Sequence, residues 1–332
     1  MNFKKIFSAC AIVFIAIPSF LNAQNGNISG YMFGDYYMQL SHPDSATDAE
    51  NRNGFQFRRI YFNYENKIDE NFSMRFRLEM NSQNYDKSAN MVPYVKHAYL
   101  AWNNLIPNAK LYFGLSGTPT WNHAEKIWGY RSVSKTIMDL NKVSSSADFG
   151  VAAKGKIGAS GTLNYFAHFA NGSGKKGEKD QYKKLYFNLP VILQKSIFIV
   201  PYIDFEGGDD GKSKSLVALF AGYNKGKISS GVELFQKTSK EALDGDLDLK
   251  QSGFSVFGRM KTAEKVCLFA RFDSYDPNTD LDNDASTLII GGFDYLAGKN
   301  VHIMPNVKLE SYEMSGMDSN TLAEVTIYFK FQ

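Results

Sequence analysis

The sequence predicts an all-β protein, a transmembrane antiparallel up-and-down β-barrel of about 16 strands, and three observations support this fold class. Apolar and polar residues alternate along the whole chain. The connections between the alternating segments are long and short in turn. Beyond the N-terminal region no run of about 18 apolar residues occurs, so helices that cross a membrane are excluded. A closed barrel is the other structure that satisfies every backbone polar group in lipid.

The alternation of apolar and polar residues is the first of these observations. Between Phe72 and Met80 every second residue is apolar, and Arg75, Arg77 and Glu79 lie at intervening positions. Such segments run for about 10 to 13 residues, the length that a tilted strand needs to cross the hydrocarbon. The predicted strands are 28–40, 54–66, 72–82, 94–103, 109–117, 147–157, 161–170, 182–192, 196–206, 213–224, 227–238, 250–261, 265–275, 285–296, 300–313 and 320–332.

The connections between these strands fall into two classes. Odd-numbered connections are long, whereas even-numbered ones are tight turns. Membrane barrels have this arrangement, with long loops at the outer end and short turns at the periplasmic end. A soluble β-sandwich has no reason to sort its loops in this way. The predicted long connections are 41–53, 83–93, 118–146, 171–181, 207–212, 239–249, 276–284 and 314–319.

The N-terminal region, Met1–Ala23, has the layout of a cleaved secretory signal peptide, with two lysines ahead of an apolar core. Residues 24–332 are then expected to form one outer-membrane barrel domain. The signal removes two lysines from a chain with 37 Lys plus Arg and 34 Asp plus Glu, so the mature chain is nearly neutral. Near-neutrality does not favour nucleic-acid binding. Cys10 leaves with the signal and Cys267 remains alone, so no disulfide or thiolate metal cluster is expected.

The connection Thr118–Ser146 differs from the others in its length of about 29 residues. Loops this long without strands are usually functional. Because the loop carries Trp121 and Trp128, it suits a buried position better than open water. The sequence therefore predicts that this third loop folds into the lumen and narrows it, the alternative being a solvated surface loop. The charged residues expected at the constriction are Lys126, Arg131, Lys135 and Lys142, with Glu125 and Asp139 as partial counter-charges.

The inward faces of the predicted strands supply a second set of basic residues. Arg59, Arg75 and Arg77, with Glu79 beside them, are the residues of this set expected to line the solute path. Rings of basic side chains favour the passage of anions, whereas interleaved carboxylates weaken that preference. The sequence predicts a mild preference for anions. The other inward charges are Lys110, Lys154, Lys156, Arg259, Arg271, Lys308 and Lys330, with the acids Glu65, Asp273, Glu310 and Glu324.

Several patterns that resemble cofactor or metal sites lack the required context. Gly172–Gly177 matches a dinucleotide fingerprint but no helix follows it. Acidic residues between Asp276 and Asp284 alternate as in a calcium loop, yet Leu281 and Thr287 stand where glycine and glutamate are needed. A solvated outer loop is the simpler interpretation, with calcium as the alternative. No cofactor, resident metal or catalytic residue is expected.

The stretch Phe55–Glu79 resembles the arginine-pair strand, short turn and Phe-Ser-x-Arg strand of the phosphate-selective porin O/P family. His97–Leu100, Leu111–Gly114 and Asp148–Val151 follow in the family's order, and the resemblance extends over residues 54–155. It implies a sixteen-stranded, homotrimeric outer-membrane porin whose third loop folds inward and carries the constriction.

The sequence departs from the family's pattern in three places. The stretch entering the third loop reads Gly114–Trp121, His97 replaces the usual aspartate, and Gln332 follows the terminal Phe331. The resemblance therefore implies a pore and leaves selectivity for phosphate open.

Three functions follow as hypotheses. The first is a diffusion channel for small hydrophilic or anionic solutes in the outer membrane of a Gram-negative bacterium. The second is an outer-membrane hydrolase, which would need a Ser–His contact assembled from separate strands. The third is a structural or adhesion barrel, which would need a lumen packed shut. Absence of the common catalytic motifs favours a protein that is not an enzyme.

Overall fold

The described part of the chain forms one antiparallel sheet that closes on itself. The computed structural model describes residues 26–43, 50–82, 88 and 90–332, so the predicted signal peptide lies outside the described residues. The strands are β1 (Gly26–Ser41), β2 (Asn53–Lys67), β3 (Phe72–Asn81), β4 (Tyr94–Asn103), β5 (Ala109–Gly117), β6 (Ala147–Ile157), β7 (Leu163–Ala170), β8 (Lys184–Asn188), β9 (Val191–Leu193), β10 (Ile197–Gly207), β11 (Ser213–Lys225), β12 (Ile228–Leu243), β13 (Leu247–Ala263), β14 (Val266–Asp276), β15 (Ser286–Gly298), β16 (Val301–Tyr312) and β17 (Asn320–Phe331).

The sheet closes because β17 pairs with β1. Gly30 lies opposite Phe331 in this antiparallel seam, and Met38 lies opposite Ala323. β8 and β9 share one strand position, since both pair with β7 on one side and β10 on the other. Pro190, which has no N–H to donate, lies between them and interrupts the ladder. The barrel thus has sixteen strand positions, and the predicted fold class is confirmed.

Side chains alternate between an outward apolar face and an inward face. Along β10, Ile199, Ile203 and Phe205 point outward and are 41%, 50% and 50% exposed, whereas Val200 and Asp204 point inward and are buried. Period-two alternation places successive side chains on opposite faces of a sheet. An outward band of this kind is the face that a transmembrane barrel presents to lipid.

One predicted loop is wrong in its boundaries. The sequence predicts a loop over 239–249, but β12 continues to Leu243 and β13 begins at Leu247, directly opposite it. Strands that extend beyond the hydrocarbon carry polar residues on both faces, so the alternation fades while the pairing continues. Hence the hydrophobic pattern located the apolar part of the hairpin and missed its polar end.

The third of the long connections, residues 118–146, is here called loop 3 and contains two short helices, α1 (Asn122–Trp128) and α2 (Ile137–Leu140). No helix among the described residues is long and apolar enough to cross a membrane, a finding that does not bear on crossing by strands. We call the end of the barrel that carries loops such as 277–285 the loop side, and the opposite end, with turns such as 264–265, the turn side.

The outward face of β17 gives the first testable prediction. Ile327 lies near the middle of the strand, points outward and is 45% exposed. Ile327→Arg is expected to destabilise the membrane-inserted barrel by about 2–4 kcal/mol, because a charge near the bilayer midplane loses its hydration. Chemical unfolding from lipid vesicles measures this change.

A matched control lies on the same strand. Leu322 points inward and lines a cavity on the loop side, so Leu322→Arg places the same group in water. Equal destabilisation by the two variants would contradict the assignment of the faces.

Candidate functional site in the barrel lumen

Loop 3 lies inside the barrel and packs against the inner wall formed by β10–β16. Trp128 and Ile137 are both fully buried. The Trp128 ring contacts the rings of Phe257 and Phe269 at centroid distances of 5.4 and 6.0 Å, and its Nε1 donates a hydrogen bond to the Ser134 carbonyl at 3.0 Å. Burial of large aromatic surface holds the loop in place. The predicted inward fold of this loop is confirmed.

Hydrogen bonds also fix the two ends of loop 3 to the wall. Near its start, Asn188 Nδ2 donates to the Pro119 carbonyl at 2.7 Å. Near its end, Ser144 Oγ donates to Asp204 Oδ2 at 2.9 Å. Asn188 and Asp204 are buried, so these bonds are made where water does not compete strongly. Loop 3 is therefore a fixed partition across the lumen.

Two cavities lie on opposite sides of this partition. The loop-side cavity has a volume of about 410 Å³, and the turn-side cavity has a volume of about 380 Å³. The loop-side lining includes Arg58, Arg59, Lys135, Lys308 and Glu310. The turn-side lining includes Tyr31, Glu125, Tyr130, Arg259, Asp294, His302 and Tyr328. The turn-side cavity continues into a mouth of about 250 Å³, with which it shares Tyr130, Arg259, Asp294 and His302.

Arg131 and Phe33 line both cavities, so the two spaces approach each other at these side chains. Arg131 Nε lies 3.1 Å from Glu125 Oε2, and its Nη2 lies 3.2 Å from Asp139 Oδ2. Lys135 Nζ also lies 3.6 Å from Asp139. The two cations are thus largely balanced by two carboxylates of the same loop, as the sequence predicted for Glu125 and Asp139.

The inner wall formed by β2 and β3 carries three arginines, which from the loop side to the turn side are Arg59, Arg77 and Arg75. Arg59 and Arg77 approach the Tyr61 ring, with guanidinium carbons 5.5 and 4.8 Å from its centroid. Arg75 pairs with Glu65 further down. Successive inward positions on one strand are about 6.6 Å apart. The three predicted arginines therefore form a row of cations along one wall, and each contacts an aromatic ring or a carboxylate.

The predicted acid of this wall, Glu79, is 1% exposed and lies behind the surface of the lumen. Its Oε1 is 3.3 Å from Arg59, and its Oε2 is 3.4 Å from Lys96. One carboxylate between two cations leaves a net positive charge at this position. The ion pair with Glu79 thus fixes the position of the Arg59 guanidinium.

The sequence reasoning missed Arg58 and Lys96 as inward residues. Both lie at irregularities in strand register, where two residues oppose one on the neighbouring strand. Such a β-bulge lets two consecutive side chains face the same side, which a strict period of two does not allow. Arg58 pairs with Asp35 and donates to the Val133 carbonyl of loop 3 at 3.1 Å. The adjacent pair of arginines was the available signal, since regular alternation would have placed one in lipid.

Lys126 lies apart from the other predicted loop residues. It is exposed and lines neither cavity. Its positive charge and that of Lys154 on β6 both interact electrostatically with His123. Lys110 of β5 in turn interacts electrostatically with Lys154. The structure therefore groups Lys126 with the basic wall of β5 and β6, separate from Arg131 and Lys135.

His123 of α1 gives a prediction about pH. Burial, and then the positive charges of Lys154 and Lys126, lowers the pKa of His123 from 6.5 to about 4. His123 is thus uncharged at neutral pH. A released loop would take up this proton between about pH 6.5 and 4, and a packed loop would not, so acid in this window weakens the packing of loop 3.

The measurement is the thermal unfolding midpoint of the purified barrel at pH 7 and pH 5. Wild-type protein is expected to lose more stability than His123→Asn, which cannot take up the proton. The same loss in both proteins would show that other groups cause the acid sensitivity.

No family model matches the chain, and no curated protein sequence matches it. Solved structures do match over nearly the whole chain. An anion-selective porin from Comamonas acidovorans is 13% identical with a TM-score of 0.69, covering 92% of this chain and 99% of that one. The chain has the porin fold.

Two further structures of outer membrane proteins match the same share of this chain. The outer membrane channel DcaP of Acinetobacter baumannii is 13% identical with a TM-score of 0.67, covering 92% of this chain and 97% of that one. OmpT of Vibrio cholerae, an outer membrane protein in trimer form, is 12% identical with a TM-score of 0.60, covering 92% and 99%. At such identities the similarity concerns the fold, and the roles of individual residues rest on the geometry above.

Proposed function

We propose that the chain is an outer-membrane porin, a passive diffusion channel for small hydrophilic solutes with a mild preference for anions, phosphate among them. The observation that carries the proposal is the pair of cavities on opposite sides of loop 3, which approach each other at Arg131 and Phe33. A fixed loop between two wet spaces is the arrangement that a constricted pore requires. The constriction then consists of Arg131 and Lys135 from loop 3 and of Arg59 from the wall.

The preference for anions rests on the balance of charge along this path. Arg58, Arg59 and Lys308 contribute cations to the loop-side cavity, where Glu310 is a lining carboxylate. Arg77 follows on the wall, hydrogen-bonded to the neutral side chain of Asn63. In a narrow lumen such charges act on a passing ion more strongly than in bulk water. Because most of the cations have carboxylate partners, the preference is mild.

Two alternatives are less well supported. The serine-type hydrolase of the second hypothesis needs a serine beside a histidine, whereas His302 Nδ1 contacts the carboxylate of Asp294 at 2.9 Å. Within the described ranges, neither ring nitrogen of His97 or His168 has a hydrogen-bond partner. A structural or adhesion barrel needs a filled lumen, whereas two cavities flank loop 3. These contacts favour a channel over both alternatives.

Location and assembly form part of the proposal. Export through the signal peptide Met1–Ala23, followed by insertion into the outer membrane of a Gram-negative bacterium, accounts for the outward apolar band. A homotrimer is proposed from the resemblance to the O/P porins, and the trimer form of the similar Vibrio cholerae protein is consistent with it.

Conductance in planar lipid bilayers tests the proposal. Purified mature protein is expected to insert in steps of uniform conductance. With a tenfold KCl gradient, the reversal potential is expected to show a modest preference for chloride. Absence of conductance steps from protein that is correctly folded would overturn the pore, and preference for potassium would overturn the anion part alone.

A further inference from the structure

Arg259 of β13 differs from the other arginines of the inner wall. Arg58, Arg59, Arg75 and Arg271 each form an ion pair with a carboxylate of a neighbouring strand or of their own strand. Arg259 forms no ion pair and no hydrogen bond with any residue that the structure describes, and its Nε is buried without a partner. A buried donor without an acceptor is unfavourable, because it has lost its hydrogen bond to water. The guanidinium therefore has unused capacity for an anionic group.

Packing against loop 3 holds Arg259 in this position. Its guanidinium carbon lies 6.0 Å from the centroid of the Tyr130 ring. Gly129 ends helix α1 with a φ of 73°, and a Cβ atom there would lie only 2.8 Å from Arg259 Nη1. Glycine thus provides both the left-handed conformation and the space that the guanidinium occupies. Arg259 is held against loop 3, and its donors have no acceptor among the described residues.

The space in front of Arg259 is the turn-side cavity, whose lining includes four Tyr and Phe rings beside charged side chains. Tyr31, Tyr130, Tyr328 and Phe33 contribute rings to it. The ring centroids of Tyr31 and Tyr328 are 5.7 Å apart, so their surfaces are continuous. A volume of about 380 Å³ lies within the range of about 300–1,000 Å³ that is usual for small-molecule pockets. The cavity thus combines one unpartnered guanidinium with apolar ring faces.

We propose that the turn-side cavity is a binding subsite for small carboxylates that carry an aromatic ring, with Arg259 receiving the carboxylate and the tyrosines contacting the ring. The inference names a solute class for the proposed pore and in that sense rests on it. A guanidinium presents paired N–H donors that match the two oxygens of a carboxylate. The flanking rings favour an edge-on or offset aromatic partner.

The cavity's other charged groups define which carboxylates fit. Asp294 accepts a hydrogen bond from Tyr130 Oη at 3.3 Å and lies 2.9 Å from His302 Nδ1. Its carboxylate oxygens therefore already have partners within the protein. Glu125 is paired with Arg131 at the opposite end. Arg259 is therefore the lining cation still available, and a solute with one carboxylate suits the site better than one with several.

The probe is benzoate, and its binding to the purified barrel in detergent is measured by calorimetry. Wild-type protein is expected to bind benzoate at least about tenfold more tightly than Arg259→Gln does, since a charge-assisted bond is lost. Acetate, which lacks the ring, and benzyl alcohol, which lacks the charge, are each expected to bind about tenfold more weakly than benzoate. Arg259→Lys keeps the charge and loses the paired donors, so an intermediate affinity is expected.

Lys261 offers a matched control on the same strand and the same face. It lines the turn-side mouth and not the turn-side cavity. Lys261→Gln removes one positive charge as Arg259→Gln does, yet benzoate affinity is expected to stay within twofold of wild type. If both variants lost benzoate affinity equally, the loss would come from the change in net charge near the cavity, and the subsite would be overturned. Acetate binding as tight as benzoate binding would overturn the role of the rings.

Two further measurements keep the inference separate from the pore. If Arg259→Gln does not fold, Tyr328→Leu replaces it and is expected to lower the ratio of benzoate to acetate affinity. Bilayer conductance is recorded for the same preparations. Conductance without Arg259-dependent benzoate binding overturns the subsite, whereas such binding without conductance supports the subsite and overturns the pore.

Discussion

Replacing Trp128 by alanine is expected to release loop 3 from the wall and to raise the single-channel conductance. The side chain is fully buried among Phe257, Phe269 and Tyr130. Truncating a buried tryptophan costs about 3–5 kcal/mol, because the lost contacts leave a cavity that closes only in part. Most of this cost falls on the packing of the loop, since the hydrogen-bonded wall strands remain paired. Conductance steps in planar bilayers, together with increased proteolysis within residues 118–146, measure the release.

The control is a tryptophan outside the lumen. Trp102 lies on the outward face of β4, with its ring 5.0 Å from that of Phe72. Trp102→Ala deletes the same side chain from the lipid-facing surface, so it is expected to lower stability without changing the conductance. If Trp128→Ala kept the wild-type conductance, loop 3 would not be the element that narrows the pore.

The second large effect is expected from reversing the charge of loop 3. The triple change of Lys126, Arg131 and Lys135 to Glu should shift the reversal potential toward cations. Arg131 lies between the two cavities, so its replacement puts a carboxylate beside Glu125 and close to any permeating ion. Screening is weak in dilute salt, and the shift should be largest there. Reversal potentials in asymmetric KCl at low and high concentration measure it.

The control is a triple Lys→Glu variant in the outer loops, which changes the net charge by the same amount away from loop 3. Lys176, Lys179 and Lys212 are exposed and lie in the fourth and fifth of the long connections, 171–181 and 207–212. Their replacement by Glu alters the charge around the mouth and should leave the reversal potential nearly unchanged. An unchanged reversal potential in the loop 3 variant, with normal insertion, would remove this loop from the selectivity of the pore and leave Arg59, Arg75 and Arg77 as the candidates.

The fold was predictable because lipid imposes a simple rule on the sequence. Outward residues such as Ile199 and Ile203 must be apolar, and alternation follows from that rule. Where the rule does not apply, prediction failed. The polar ends of β12 and β13 lie outside the hydrocarbon, and their pairing leaves no hydrophobic pattern. The bulges at Arg58 and Lys96 break the period of two.

The site was predictable in composition and only partly in arrangement. Length and tryptophan content indicated that loop 3 folds inward, and the acids Glu125 and Asp139 were recognised as counter-charges. Their pairing with Arg131 depends on the turn between α1 and α2, which no periodic pattern specifies. Within the part of the chain that the structure describes, Arg259 lacks a partner because of how several wall strands and loop 3 are arranged around it, which the sequence alone does not show.

The seam between β1 and β17 has a consequence for the order in which the barrel assembles. Gly30 pairs with Phe331, so the hydrogen bonds of this seam join the first and last strands of the sheet, which lie far apart in the sequence. Until both ends meet, each edge strand exposes a row of unsatisfied N–H and C=O groups, which are costly in hydrocarbon. The entropy of joining such distant segments grows only slowly with their separation. The barrel therefore gains much of its stability in lipid only when β1 and β17 pair.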